Sequence, residues 1–118
     1  MTDTFTEYAP GMLPAPVLAY LDARDASRYS DATALFAADA VVFDDGKTYE
    51  GGDAIDAWIR ESSTEYTYTS TRIGQELVDD DHAVVLVRLD GDFPGGTVTL
   101  RYGFELRDGR IDRLAITV

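Results

Sequence analysis

The sequence contains no cysteine, a single histidine and a single lysine. The absence of cysteine excludes disulfide frameworks, thiolate nucleophiles, zinc knuckles and iron–sulfur clusters. Basic residues are also few: 10 Lys and Arg stand against 22 Asp and Glu, which gives a net charge of −12. Such a surface repels phosphate backbones and anionic lipids, so neither nucleic acids nor membrane surfaces are expected as partners.

Long hydrophobic runs are missing as well. No segment reaches the ~20 apolar residues that a bilayer-spanning helix needs. Residues 1–7 are polar and acidic, without the basic region and apolar core of a signal peptide, so we expect a cytoplasmic protein. Nevertheless, 45% of the 118 residues are hydrophobic and 11% are aromatic, enough to form the core of one domain.

The pattern along the chain predicts a short arm and one domain. Residues 1–12 carry Pro10 and Gly11 and show no periodicity, so we expect a flexible N-terminal arm. The domain at 13–118 begins where apolar residues first recur at helical spacing.

Helical and strand patterns follow each other in a simple order within the domain. Helices are predicted at about 15–26 and 32–36, then a hairpin from residue 40 to 50, then a helix with the apolar stripe Ile55, Trp58 and Ile59. Alternating residues after position 65 predict four long antiparallel strands. Helices on one side of an antiparallel sheet define the α+β class, and a strongly curved sheet covered by helices would leave a concave pocket.

Two stretches resemble the nuclear transport factor two-like superfamily, which includes ketosteroid isomerase, SnoaL-like polyketide cyclases and scytalone dehydratase. The first, ALFA-x-DA-x-V, begins at Ala34, and the second, G-x-x-AI-x-x-W, ends at Trp58. The resemblance covers residues 13–118 and implies a cone-shaped barrel, in which three helices from the N-terminal half pack on a strongly curved antiparallel sheet. It also implies a homodimer, consistent with Val and Leu on the outer face of the strand at 83–89.

The same resemblance indicates three catalytic candidates. Counted without gaps from Leu35 and Phe36, Asp44 matches the general base of ketosteroid isomerase, and Tyr20 matches its tyrosine donor to the substrate oxygen. Tyr102 occupies the place of the isomerase's second donor, a protonated aspartate. From the residues alone, however, a hairpin-turn role is the simpler one for Asp44 unless a pocket surrounds it, because Asp-Asp-Gly favours turn conformations.

Four further aromatic residues are expected to line a pocket for a hydrophobic small molecule: Trp58, Tyr66, Tyr68 and Phe104. Core packing is the simpler role for each of them. We expect His82, which follows three aspartates, to be an exposed turn residue, and we treat Arg101 and Glu105 as a pair on one strand face. No metal and no cofactor are expected.

Two functions remain open. In the first, Asp44 moves a proton next to a carbonyl while Tyr20 or Tyr102 holds the enolate oxygen, as in a small isomerase, cyclase or dehydratase. In the second, the domain binds a hydrophobic ligand or a partner without chemistry. An Asp44 carboxylate that lies in an enclosed cavity favours the first function, and one that is bonded to turn amides favours the second.

Overall fold

The computed structural model describes residues 5–118. After a 3-10 turn at Pro10–Met12, the elements are α1 (Ala15–Asp25), α2 (Tyr29–Ala34), β1 (Phe36–Asp44), β2 (Lys47–Glu50), α3 (Gly52–Thr64), β3 (Tyr68–Asp79), β4 (His82–Gly91), β5 (Thr97–Arg107) and β6 (Arg110–Thr117). The predicted order of two helices, a hairpin, a helix and four strands is confirmed.

The boundary between α2 and β1 differs from the prediction. The helical pattern was expected to continue to Phe36, but α2 ends at Ala34 and Phe36 already belongs to β1. Phe36 pairs with Ile111 of β6, and the Ile111 amide donates to the Leu35 carbonyl at 2.9 Å. Pairing with a distant strand therefore overrides the local helical pattern at this point.

The six strands form one sheet in the order β2-β1-β6-β5-β4-β3. All neighbours are antiparallel except β1 and β6, which are parallel. The expectation of an entirely antiparallel sheet is thus corrected at this pair, because β6 returns alongside β1 after the β5–β6 hairpin. Register shifts interrupt β1, β3 and β6, and such bulges bend a sheet. The result is an open, strongly curved sheet under three helices.

The core fills the space between the helices and the concave face of this sheet. α1 contributes Val17 and Tyr20, which are fully buried, and α3 contributes Ile55, Trp58 and Ile59. Trp58 is only 3% exposed, so its predicted burial is confirmed. Since both helices point large side chains at the same concave surface, they also determine where that surface remains open to a ligand.

The segment before α1 runs beside β3. The Thr6 amide donates to the Gln75 carbonyl at 2.8 Å, and the Gln75 amide donates back to Thr6 at 2.9 Å. The Gln75 side chain, 2% exposed, binds both the amide and the carbonyl of Ala9. Residues 1–4 of the predicted arm lie outside the described residues, and the flexibility of the arm stays a prediction. None of the helices between residues 5 and 118 is long and apolar enough to cross a membrane.

Candidate functional site

Asp44 lies at the end of β1, just before the hairpin turn. The two turn residues are Asp45 and Gly46, with φ values of 52° and 73°, so Asp44 itself remains in the strand. Its Oδ2 accepts a hydrogen bond from the indole Nε1 of Trp58 at 3.0 Å. The half-buried Asp44 carboxylate is therefore held by a side chain of α3 rather than by the amides of the turn.

Asp44 lines a cavity of about 340 Å³, which we call the Asp44 cavity. Its walls are mainly aromatic and aliphatic, with a few polar groups, which is the usual composition of a small-molecule site. The lining residues are Arg24, Asp44, Asp45, Trp58, Ser62, Glu65, Tyr66, Tyr68, Leu89, Phe93, Pro94, Val98, Leu100, Tyr102 and Ile116.

A second cavity, of about 660 Å³, lies next to it, where the C-terminal ends of α1 and α3 face β3 and β4. We call it the outer cavity. Both cavities are lined by Arg24, Tyr66, Tyr68, Leu89 and Tyr102. The two cavities therefore adjoin at these five side chains, and one elongated ligand could occupy parts of both.

Tyr20 is placed at the inner wall of the outer cavity. It is fully buried, and its ring packs edge-on against Phe36 and Phe104 at 5.4 and 5.7 Å. Its hydroxyl oxygen accepts a hydrogen bond from Nη1 of Arg24 at 3.0 Å. Burial raises the pKa of Tyr20, so the hydroxyl keeps its proton and can donate it in a hydrogen bond.

Tyr102 is the tyrosine candidate that shares a cavity with Asp44. It lies on β5, half-buried, with its ring 6.5 Å from that of Phe104. Desolvation by burial raises the pKa of Tyr102, against the opposing effect of the Arg24 charge. A neutral tyrosine hydroxyl of this kind can donate a hydrogen bond to a developing oxyanion.

The four expected ligand-binding residues fall into two groups. Trp58, Tyr66 and Tyr68 line the Asp44 cavity, and Tyr66 is 42% exposed at its mouth. Phe104 is 2% exposed and packs behind the cavity wall against the rings of Tyr20 and Tyr102. Tyr20 of α1 covers the Phe104 ring, so Phe104 supports Tyr102 instead of lining either cavity.

Arg24 is the residue that sequence reasoning missed as part of the site. Its Nη2 donates to Ser62 Oγ at 3.0 Å and to Ser63 Oγ at 2.8 Å. Its guanidinium carbon lies 5.1 Å from the centre of the Trp58 ring, a distance at which a cation–π interaction is favourable. The available signal was its position four residues after Tyr20, on the inward face of α1.

Two other charged positions lie away from the cavities. His82 is 45% exposed next to the β3–β4 turn, as predicted, and its Nδ1 lies 2.8 Å from Asp79. Glu105 forms an ion pair at 3.3 Å with Arg113, the residue opposite it on β6, so the expected pairing with Arg101 is wrong. Four steps along a strand separate two side chains by about 13 Å, too far for an ion pair. Across residues 5–118, acidic and histidine side chains form no cluster suited to a metal ion.

Comparison with known proteins places this geometry in a family. The SnoaL-like domain family matches residues 17–114. A crystal structure from Sinorhizobium meliloti, provisionally described as a polyketide cyclase, is 36% identical, with a TM-score of 0.87 over 93% of this chain and 100% of that one. No curated protein matches the chain at a significant level.

Two more distant structures share the fold. One is RV0760c from Mycobacterium tuberculosis in complex with estradiol-17β-hemisuccinate, 18% identical, with a TM-score of 0.74 over 94% of this chain and 95% of that one. The other is Δ5-3-ketosteroid isomerase from a Mycobacterium species, 19% identical, with a TM-score of 0.73 over 94% of each chain. The predicted resemblance is confirmed: this chain belongs to the SnoaL-like domain family and has the fold of the nuclear transport factor two-like superfamily.

Proposed function

We propose that this protein binds a hydrophobic carbonyl compound and moves a proton on it without a cofactor, as an isomerase or cyclase, with Asp44 as the general base. The observation that carries the proposal is the position of Asp44. Its carboxylate lies in a mostly apolar cavity, bonded to Trp58 at 3.0 Å. A carboxylate held in place beside an apolar ligand can accept a proton from a carbon next to a carbonyl.

The proposed step starts with the Asp44 carboxylate taking that proton. The C–H electron pair moves into the carbonyl and forms an enolate, whose oxygen accepts a hydrogen bond from the Tyr102 hydroxyl. Return of the proton from Asp44 to a different carbon gives an isomerase. Attack of the enolate carbon on a second carbonyl of the same ligand closes a ring and leaves an alkoxide, which takes the proton back from Asp44; this sequence gives a cyclase. Tyr20 lies in the outer cavity and would act indirectly, because its hydroxyl oxygen accepts a hydrogen bond from Arg24 and so helps to position the guanidinium.

Proton exchange tests the base directly. In D2O, the acetyl methyl protons of 2-acetylnaphthalene should exchange faster with the protein than in buffer, as followed by NMR. Asp44→Asn should lower this rate by roughly 10²–10⁴-fold, the usual contribution of a positioned acid or base. The matched control is Asp39→Asn on the same strand. Asp39 is exposed and paired with Arg107, so this variant should keep the wild-type rate.

The alternative is a non-catalytic ligand-binding domain. The relatives favour it to this extent: RV0760c was solved in complex with a steroid derivative, and another structure of the same fold is a computationally designed 17-OHP binder. Calorimetric binding of 2-acetylnaphthalene without exchange above the buffer rate would support this function. An Asp44→Asn variant that exchanges as fast as the wild type would also contradict the proposed base.

We also propose that the protein is a homodimer through the outer face of the sheet. That face carries Val84 and Leu86 of β4, which alternate with the buried Val85 and Val87 and are themselves only half-buried. Contiguous apolar surface of this kind is typical of an interface. Sedimentation equilibrium should give twice the 13.0 kDa chain mass, and a Leu86→Glu variant should sediment as a monomer. A monomeric wild-type protein would contradict the proposal.

The net charge of −12 gives no reason to propose nucleic acid or a membrane as a partner, and a cytoplasmic location stays a prediction.

A further inference from the structure

Arg24 places a cation at the walls of both cavities. No ion pair joins it to a carboxylate within the described part of the chain. The other arginine of the outer cavity, Arg72, differs in this respect, because it binds Asp22 and Asp25 at 2.8 Å each. The partners of Arg24 are neutral: a tyrosine hydroxyl, two serine hydroxyls and the faces of two aromatic rings.

These neutral partners leave part of the guanidinium free. The bonds to Tyr20, Ser62 and Ser63 account for three N–H groups, and a guanidinium has five. The donors that remain are Nε–H and the second N–H of Nη1, and each can serve a molecule in the cavities that Arg24 lines. A partly buried cation without a counter-ion is costly, so a ligand that brings a negative charge is favoured at this position.

The acidic groups around the cavities do not supply that charge. Asp25 is bound by Arg72 and Ser70, and Asp44 is bound by Trp58. Asp45 and Glu65 also line the Asp44 cavity but are exposed to solvent. Because one unpaired cation faces several acids, it can balance a single negative charge, whereas a doubly charged phosphate would be repelled.

Arg24 and Asp44 approach the same indole from different sides. The guanidinium lies over the face of Trp58, 5.1 Å from the ring centre, and the Asp44 carboxylate binds the ring edge at Nε1. A ligand lying along Trp58 would therefore reach the cation with one end and the base with the other. A carboxylate oxygen can accept a charge-assisted hydrogen bond from one of the remaining N–H groups of Arg24.

We infer that the natural ligand is a hydrophobic carbonyl compound that also bears a carboxylate, and that Arg24 binds this carboxylate. The inference rests on the proposed function, since it names the substrate class of the same site. Arg24 acts as a specificity-determining residue, which sets the orientation of the ligand and leaves its carbonyl end beside Asp44 and Tyr102.

A matched pair of probes tests the inference by isothermal titration calorimetry. The probes are 6-acetyl-2-naphthoate and 2-acetylnaphthalene, which differ only in the carboxylate. The carboxylate probe should bind the wild-type protein at least ~10-fold more tightly, within the range expected for a hydrogen bond between charged groups. Arg24→Gln should weaken its binding by roughly 10- to 100-fold and change the binding of the neutral probe by less than about threefold.

Two further variants make the result specific to Arg24. Arg28→Gln removes an exposed arginine that is paired with Asp31 at 3.2 Å, and it should leave both affinities unchanged. Arg24→Lys keeps the charge, but an ammonium has only three donors and cannot bind Tyr20, Ser62, Ser63 and the ligand at once. Its affinity for the carboxylate probe should therefore lie between those of wild type and Arg24→Gln. If circular dichroism shows that Arg24→Gln does not fold, the affinities of wild type and Arg24→Lys for the carboxylate probe are compared instead, and equal affinities overturn the inference.

The outcomes separate this inference from the proposed function. Equal affinity for the two probes, or a preference that survives Arg24→Gln, overturns the carboxylate inference, while Asp44-dependent proton exchange can still hold. Exchange that does not need Asp44 overturns the proposed base, while an Arg24-dependent preference for the carboxylate still stands. Failure of both probes to bind overturns the inference.

Discussion

Replacing Trp58 with alanine should remove a large part of the stability of the fold. Trp58 is 3% exposed, packs against the Tyr49 ring at 6.0 Å and lies under the Arg24 guanidinium. Truncating a buried tryptophan to alanine costs about 3–5 kcal/mol, and a domain of this size has about 5–15 kcal/mol in total. With a urea slope of about 1–3 kcal/mol per molar, the midpoint should fall by at least ~1 M.

Trp58→Phe separates the hydrogen bond from the packing. Phenylalanine keeps an aromatic ring at position 58 but cannot donate to Asp44, whose bond with Trp58 Nε1 is 3.0 Å. A hydrogen bond to a charged group contributes about 1.5–3 kcal/mol, and water can partly replace it because Asp44 is half-buried. We therefore expect Trp58→Phe to cost about 1–2 kcal/mol, clearly less than Trp58→Ala.

Urea unfolding followed by far-UV circular dichroism measures both variants, since the protein has no other tryptophan for fluorescence. A loss below about 1 kcal/mol for Trp58→Ala would refute the assignment of Trp58 to the core. Equal losses for the two variants would show that the bond to Asp44, and not ring packing, accounts for the contribution of Trp58.

Two further predictions concern the sheet. The hydrogen bond with Asp79 raises the pKa of His82, so its contribution to stability is complete below about pH 6.5 and is lost as the pH rises through the folded pKa. Urea midpoints of wild type and His82→Gln should therefore converge from about pH 5 to about pH 9, and a constant difference would contradict this. A Cβ at Gly91 would lie 2.5 Å from a backbone oxygen, so Gly91→Ala should cost about 1–3 kcal/mol. Gly11→Ala, with no atom within 4 Å of the added carbon, should cost less than about 0.5 kcal/mol, and equal midpoints for the two would refute the steric argument.

Local patterns were sufficient to predict most elements of the fold. The stripe of Ile55, Trp58 and Ile59 predicted the buried face of α3, and alternation predicted the four long strands. What local patterns could not predict depends on distant pairing. β1 extends back to Phe36 because β6 lies beside it, and nothing in the sequence around Phe36 indicates a partner 75 positions away.

The site shows the same limit. Asp44 and Tyr102 could be proposed from the resemblance, but the contact between Asp44 and Trp58 depends on how α3 crosses the end of β1. Arg24 becomes part of the site only because α1 and α3 pack together and bring Ser62 and Ser63 to it. A charged residue on the inward face of a helix was the one sequence feature that pointed to it.

The central place of β6 in the sheet has a consequence for folding. β6 joins β1 to β5, so the half of the sheet made first has no link to the other half until residues 110–117 leave the ribosome. The β1–β6 contacts, such as Val42 with Leu114, also close a very long loop, and contacts of high sequence separation slow folding. Until β6 is in place, the curved sheet cannot form as a unit, and the apolar faces of α1 and α3 remain exposed to chaperones and to aggregation.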